Sequence, residues 1–512
     1  MKKKIARQLR QHKQKIRRRL DKRSRPARVG PMLHPGNIQY EISDRTQGML
    51  YGGIGAVHLL VRRLGLDEAI NRHLDLFKLH NPYFESDHVL NIAYNLLCNG
   101  QSLEDIERLR NDEVYLNALG AERIPDPTTA GDFCRRFGVA DVEILQEIIN
   151  DIRLKPWRQQ GQDFFAEAVI DADGTIAETT GECKEGMDMS YKGVWGYHSL
   201  GGSLANTGEP LYLCNRSGNA KSSAKAASYL DKAATLCRRG GFKKVHFRGD
   251  TDFSQTAYLD GWDDAGDITF TFGIAAMPNL VQIAETLPET AWEGLVRPPT
   301  YAVKTAPRTR PPNVKEQIIQ ERGYPNIRLQ SEQVAEFAYR PVKCRQSYRI
   351  IVLRKNRSVE KGEAVLFDDM RYFFYITNDH TMTRAEVVAD ANHRCNQENL
   401  IEQLKNGVRA MRMPVDDLVS NWAYMVMASL AWSLKAWYAL LLPDKGRWHK
   451  KHKAQKQNVL RMEFKTFRHA FILLPCQIVK TGRRLVYRLL GWNDYLAVFF
   501  RAVNAFRHPL RC

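Results

Sequence analysis

Near Phe164 the spacing of apolar residues changes period, and that change limits the fold more than any other feature of the sequence. Upstream, Gly55 to Leu66, Ser86 to Leu97 and Leu103 to Leu109 carry apolar side chains three and four residues apart, the rhythm of helices that bury one face. From Phe164 the run FFAEAVIDADGT is dense in aromatic and β-branched residues and closes at Gly174, which predicts a strand. Two more strands are expected over Trp195 to Leu204 and Pro210 to Asn215, joined through the turn residues Asn206, Thr207 and Gly208. Ser222 to Arg239 has a helix pattern closed by Gly240 and Gly241. Lys243 to Arg248 is a short apolar strand ending at Gly249-Asp250, Gln255 to Ala265 returns to helix, and Ile268 to Ile274 to strand. Such an alternation requires a mixed α/β core.

Around that core the chain divides further. Asp126-Pro127-Thr128-Thr129 reads as a helix start with threonine as its cap, ahead of Phe133 and Phe137, with Arg135 and Arg136 near an outer face. From Pro278 to His380 the texture shifts. The proline-rich, basic stretch RPPTYAVKTAPRTRPPNVK reads as loop or extended chain, and Gln333 to Tyr339, Tyr348 to Arg354 and Tyr372 to Thr377 read as strands. Helix resumes at Thr383 and is expected to run past Lys405 into the apolar segment from Trp422. The expected units are a basic arm (1–28), a helical region for DNA binding or assembly (29–160), a first core part (161–277), a β-rich insertion (278–380), a second core part with the helix that carries Glu398 (381–443) and a basic helical end (444–512).

Charge narrows the partners. Lys and Arg number 76 against 57 Asp and Glu, a net charge of +19. An excess of that size suits a polyanion, because cations that neutralise phosphates release condensed counterions. The arm, strongly basic with Asp21 as its one acid, is either a solvated tail or a segment that tracks a DNA backbone. Nine cysteines are scattered without a C-x-x-C pair, which fits free thiols in a reducing cytosol. His393 and Cys395 lie close, but no second pair has zinc spacing. The basic N-terminus lacks the apolar stretch of a signal peptide. Trp422 to Leu442 has the length of a membrane span, but Lys435 interrupts it and Asn421 and Ser433 dilute it. A buried helix of a large domain is expected there, with no membrane partner and a cytoplasmic, nucleoid-associated location.

Two carboxylates stand where strands are expected to end: Asp173 after Ala168-Val169-Ile170, and Asp250 after Val245-His246-Phe247. At such ends an α/β sheet opens the crevice where ligands bind. Either aspartate alone is equally a turn residue. Asp171 competes with Asp173, since strand alternation points both the same way. On the later helix, Glu398 and Lys405 follow Arg394 by four and eleven residues, offsets of about 40° and 20° on a helical wheel. One face would then carry a carboxylate between two cations, with Leu400 and Leu404 free to pack on the sheet. An exposed Arg394–Glu398 pair explains the same spacing. Two strand-end aspartates, a helix glutamate and a basic chain together fit two-metal phosphoryl transfer.

The blocks VIDADGT, FRGDTDFS and NHRCNQENLIEQLKNG resemble the three catalytic blocks of insertion-sequence DDE transposases, DDE group 1, of the insertion-sequence 1380 type. The resemblance begins in DRTQGMLYGGIGAVHLLVRRLGL, includes PDPTTAGDFCRRF and runs through the glutamate helix. It implies an RNase H-like core interrupted by a β-rich insertion and flanked by helical N- and C-terminal regions. It also implies magnesium or manganese as cofactor, two ions per site, held by Asp173, Asp250 and Glu398. Arg394, Lys405 and Arg248 become the DNA contacts. Where the related pattern has a tyrosine three places before the arginine, this chain has Ala391. Terminal inverted repeats and target DNA are the implied double-stranded substrates, and a homo-oligomer the implied assembly. Trp292 is a candidate by location only for holding a distorted base; burial statistics favour a core tryptophan of the insertion. Two other activities share the same residues: an RNase H-like nuclease without strand transfer, and an inactive DNA-binding derivative.

Overall fold

A computed structural model of the chain describes residues 3–20, 38, 40, 46–181, 183–297, 314–322, 325–361, 364–481 and 484–510. The expected arm is helical over α1 (Lys3–Leu20), and its remaining residues, 1–2 and 21–28, lie outside the described ones. Ile5, Leu9 and Ile16 give α1 a half-buried apolar stripe, and Lys13 reaches Asp494 at 3.2 Å. Helices α2 (Ile54–Leu64), α3 (Glu85–Leu97) and α4 (Val139–Arg158) then build the expected helical region. The short helix Pro127–Cys134 is capped by Asp126, which accepts from the Thr129 backbone N–H at 2.9 Å, so aspartate replaces threonine as the cap. Arg135 is tied to Asp416 at 2.8 Å and Arg136 lies 4.9 Å from the Phe77 ring centroid.

Strands β1 (Ala168–Glu178), β2 (Trp195–Leu204) and β3 (Glu209–Cys214) form an antiparallel meander. Helix α5 (Ala226–Gly240) leads to β4 (Val245–Gly249), parallel to β1, and α6 (Thr256–Asp264) leads to β5 (Ile268–Ile274), parallel to β4. β1 outruns its expected end at Gly174 because its ladder with β2 continues from Ile170 to Glu178. Gly174 is there for space: a Cβ would come within 2.8 Å of His198 Nε2.

The strands of the expected insertion, β6 (Pro325–Tyr339), β7 (Tyr348–Lys361) and β8 (Ala364–Thr377), do not make a sheet of their own. β8 pairs antiparallel with β5, so one large mixed sheet runs β3-β2-β1-β4-β5-β8-β7-β6. Most of the proline-rich stretch lies outside the described residues.

The expected continuous helix is broken. α7 (Arg384–His393) and α8 (Cys395–Glu402) meet at Arg394, and a π-helical turn follows over Gln403–Gly407. α9 (Leu418–Leu440) is buried on every face from Ser420 to Leu440, as its composition predicts, and packs on α3 and α4. Each fully buried Leu or Met there contributes about 1.5–3 kcal/mol. Among the described residues no helix is long and apolar enough to cross a membrane. Lys435, buried in α9, donates to the Leu460 carbonyl at 2.6 Å and lies 4.0 Å from the Trp432 centroid; burial pulls its ammonium down to about 7. Glu209 on β3 ties the layers together, accepting from Arg153 Nε at 3.0 Å, Trp157 Nε1 at 3.0 Å and Trp437 Nε1 at 2.8 Å.

Beyond α10 (His449–Arg461) the end of the chain is not purely helical. Cys476–Thr481 and Arg484–Leu489 pair as a hairpin before α11 (Leu496–Phe506), and Gly48–Met49 adds to it as a third strand. The β-branched pair Ile478-Val479 suits a strand, and the expectation of helix overlooked it. Gly52 and Gly53 donate to the carbonyls of Leu474 and Ile472 at 3.1 and 3.0 Å, and a Cβ on Gly53 would collide with the Phe471 carbonyl oxygen.

Candidate active site

The parallel register of β1 and β4 brings the first two acids together. Asp171 is level with Arg248, so two steps further along the same register Asp173 stands beside Asp250. β4 ends at Gly249, and Asp250 caps the following turn by accepting from the Asp252 backbone N–H at 2.9 Å.

Beneath this pair lies a buried ionic layer. Arg248 grips Asp171 with two hydrogen bonds, 2.7 Å from Nε and 3.0 Å from Nη2, and gives Nη1 to Asp390 at 3.0 Å. His246 hydrogen-bonds Asp390 at 2.8 Å and Thr269 at 2.7 Å. Burial raises the Asp171 carboxyl above its ordinary range in spite of Arg248. Burial also pushes Asp390 up, but the His246 and Arg248 contacts outweigh it and hold that carboxyl low. Because Asp390 belongs to α7, the layer fastens the helix pair to the strands one turn before Arg394. Gln397, bonded to Ser203 and to the Gly201 carbonyl on β2, fastens α8 in turn, and Leu400 and Leu404 are buried as expected.

Above it, three acids from three distant stretches share one cation. Arg394 Nη1 stands 3.3 Å from Asp173 and 4.0 Å from Asp250, and Nη2 stands 3.8 Å from Glu398. Burial raises the Asp173 carboxyl to about 6; Asp250 and Glu398 add to the rise and Arg394 opposes it. Asp250 is raised as well, again by burial first. Among the described residues no three His, Cys, Asp or Glu side chains stand close enough to hold one ion as they are. The guanidinium sits between them, and the donors around it are carboxylate oxygens, the ligands hard divalent cations take.

The remaining candidates separate. Lys405, on the π turn, is half-buried, and burial lowers its ammonium while Asp173 is among the charges that raise it. Arg248 has no face left for a phosphate: its side chain is 6% exposed and its nitrogens hold Asp171 and Asp390, so the expected DNA contact is corrected to an internal clamp. Trp292 is buried with Arg354 stacked 4.1 Å from its ring centroid, the arrangement of a packed residue of the sheet extension. Ala391 borders a cavity of about 330 Å³ with Asp250, Arg394, Tyr372, Phe373 and Tyr375. Sequence reasoning missed Asp390 and His246. The signal available for Asp390 was a lone acid one turn before Arg394 and two turns before Glu398.

No curated protein matches the sequence. Among solved structures, the chain is similar to the piggyBac transposase in the cryo-EM structure of its synaptic complex with hairpin DNA, at 8% identity and a TM-score of 0.35, over 83% of this chain and 84% of that one. That likeness is too slight to bear on the assignment. A family model described as the transposase DDE domain group 1 matches residues 50–508, nearly the whole chain with its paired strands and all three acids, and the protein belongs to that family.

Proposed function

We propose that the protein is a metal-dependent DNA transposase that cuts at terminal inverted repeats and joins the freed 3′-hydroxyl to target DNA. The observation that carries this is the convergence of Asp173, Asp250 and Glu398 on one arginine, from positions 77 or more residues apart in the chain. The strand order β3-β2-β1-β4-β5, three antiparallel and then two parallel, supports an RNase H-like core for it.

The donor chemistry fits two magnesium or manganese ions held by Asp173, Asp250 and Glu398. When bound, such ions supply an activated attacking oxygen and charge stabilisation of the leaving one. The chain's own residues do the positioning. The buried clamp of Arg248, Asp171 and Asp390 sets the spacing of strands and helix, so the elements that carry the acids are fixed before substrate arrives. Arg394 only partly offsets the charge of the three acids, and with metal held there its guanidinium would be available to grip two phosphate oxygens. Lys405, less hydrated than a surface lysine, adds a point charge on the same strand of DNA. Two DNA ends are handled in one reaction, so the working form is a homo-oligomer.

The test is cleavage of DNA carrying the repeats that flank the element, with magnesium, by wild type, Asp250→Asn and Glu398→Gln. Loss of cutting in both folded variants is expected. Full cutting by either removes that residue from the site. A second assay with precleaved ends separates transposase from a nuclease without strand transfer: the nuclease produces no joined product.

A further inference from the structure

β1 does not stop at the acids. It runs on through Ile176 to Glu178, and opposite it lies the loop that follows the π turn. Between them is a cavity of about 670 Å³. Its wall carries four cations, Lys184, Lys405, Arg409 and Arg412, against two carboxylates, Glu104 and Glu178.

Among the described residues none of these four cations has a carboxylate oxygen within 4.0 Å. Arg409 is half-buried, yet its Nε donates to Gln101 Oε1 at 2.8 Å and its Nη1 to Asn406 Oδ1 at 3.3 Å, both neutral acceptors. Lys184 gives its ammonium to the Met413 carbonyl. Arg412 is exposed. The half-buried arginines of the sheet extension are handled differently: Arg349 takes Glu336 at 2.6 Å and Arg354 takes Glu289 at 2.8 Å. The loop is also held in an unusual shape, with Arg409 at φ 53° and Met413 at φ 52°, a left-handed region that non-glycine residues rarely enter. Four cations against two carboxylates, none in a direct ion pair among the described residues, on a backbone bent to present them, suit an anion with several charges.

We propose that this cavity is a phosphate track: it holds the sugar–phosphate backbone of the DNA strand on the far side of the acids, with Arg409 and Arg412 each taking a phosphate. The proposal rests on reading the neighbouring acids as a DNA-cutting site. The dimensions agree with a short run of backbone. Ile176 to Thr180 spans at most roughly 13 Å of chain, about the axial rise of four nucleotides. Lys405 joins the track to the acids, since it lines the cavity and also feels the charge of Asp173.

The test is binding of a labelled DNA duplex to the full-length protein in chelator, followed by fluorescence anisotropy across about 50–200 mM salt. Arg412→Gln is expected to weaken binding about fivefold and to flatten the slope of log K against log[salt] by about one, as loss of a single phosphate contact does. Arg409→Gln is expected to do the same, and the double variant to flatten the slope by about two. Arg238→Gln, which removes one charge from an exposed arginine paired with Asp267 at 2.6 Å, is the control for net charge. If Arg412→Gln and Arg409→Gln behave like Arg238→Gln, the track is wrong. Arg412 is exposed and without an ion pair among the described residues, so its variant reports even if Arg409→Gln disturbs the loop. Displacement of the duplex by a free nucleoside triphosphate at far lower concentration than simple salt would equally overturn the track, pointing to a small-anion site. Magnesium-dependent cleavage separates the two readings: if Glu398→Gln abolishes cutting while Arg409→Gln and Arg412→Gln leave the salt slope at the Arg238→Gln value, the track falls and the reading of the acids stands.

Discussion

Two layers of carboxylates meet over β1 and β4, with Asp171 and Asp173 two residues apart on β1, and the fold treats them in opposite ways. In the inner layer Asp171 and Asp390 have Arg248 and His246 to themselves, and the Asp171 side chain is 1% exposed. In the outer layer Asp173, Asp250 and Glu398 share the single guanidinium of Arg394, and Glu398 is 60% exposed. The inner layer is complete and gives the site its shape. The outer one is short of positive charge and open on one side, the condition of groups kept for an incoming cation.

Several substitutions would break or sharpen that contrast. The largest effect is expected from Glu398→Gln or Asp250→Asn, which should lower metal-dependent cleavage about a thousandfold or more, roughly 4 kcal/mol in barrier, with no loss of folding stability. Next comes Asp171→Ala, which strands Arg248 in the interior. It should cost about 3 kcal/mol of stability in a denaturant titration, the usual result of removing one partner of a buried pair. An Asp171→Ala protein as stable as wild type would mean that the inner layer is not what fixes the strands.

Asp173→Asn should act in the opposite direction. A carboxyl raised to about 6 binds its proton more tightly folded than unfolded, so its stabilising effect is whole below about pH 4 and is lost as pH rises through 6. In chelator at pH 7.5 the variant should therefore be about 1–2 kcal/mol more stable than wild type, and near pH 4.5 most of the gap should close. Magnesium should stabilise wild type and leave the variant nearly unmoved. The smallest effect is His246→Gln, which keeps a polar group near Asp390 and Thr269 and should cost about 1 kcal/mol in the same titration.

The acids were legible in the sequence because each sits beside a strong local signal: an apolar strand for Asp173 and Asp250, and a helix with Leu400 and Leu404 on its packing side for Glu398. The rest depended on distant neighbours. Whether β1 ends at Gly174 is settled by β2, whose pairing carries it to Glu178. Arg248 looked like a DNA contact because its position beside Asp250 says nothing of the two acids that bury it. The choice between Asp171 and Asp173 was open on alternation alone, and register with Arg248 separates their surroundings. A wheel of even 100° steps cannot anticipate the break at Arg394 or the π turn at Gln403–Gly407, so Lys405 was placed with Arg394 on a face the helix does not keep.

The pairing of Gly48–Met49 with the late hairpin, and of Gly52 and Gly53 with the backbone at 472–474, has a practical meaning for anyone dissecting the protein. Trimming the chain after α10 would strip a sheet edge and a helix seat from its opposite extremity, so such fragments should lose solubility at both ends together. Fusion partners and affinity handles are better attached outside residues 48 and 489 than spliced between α10 and the hairpin.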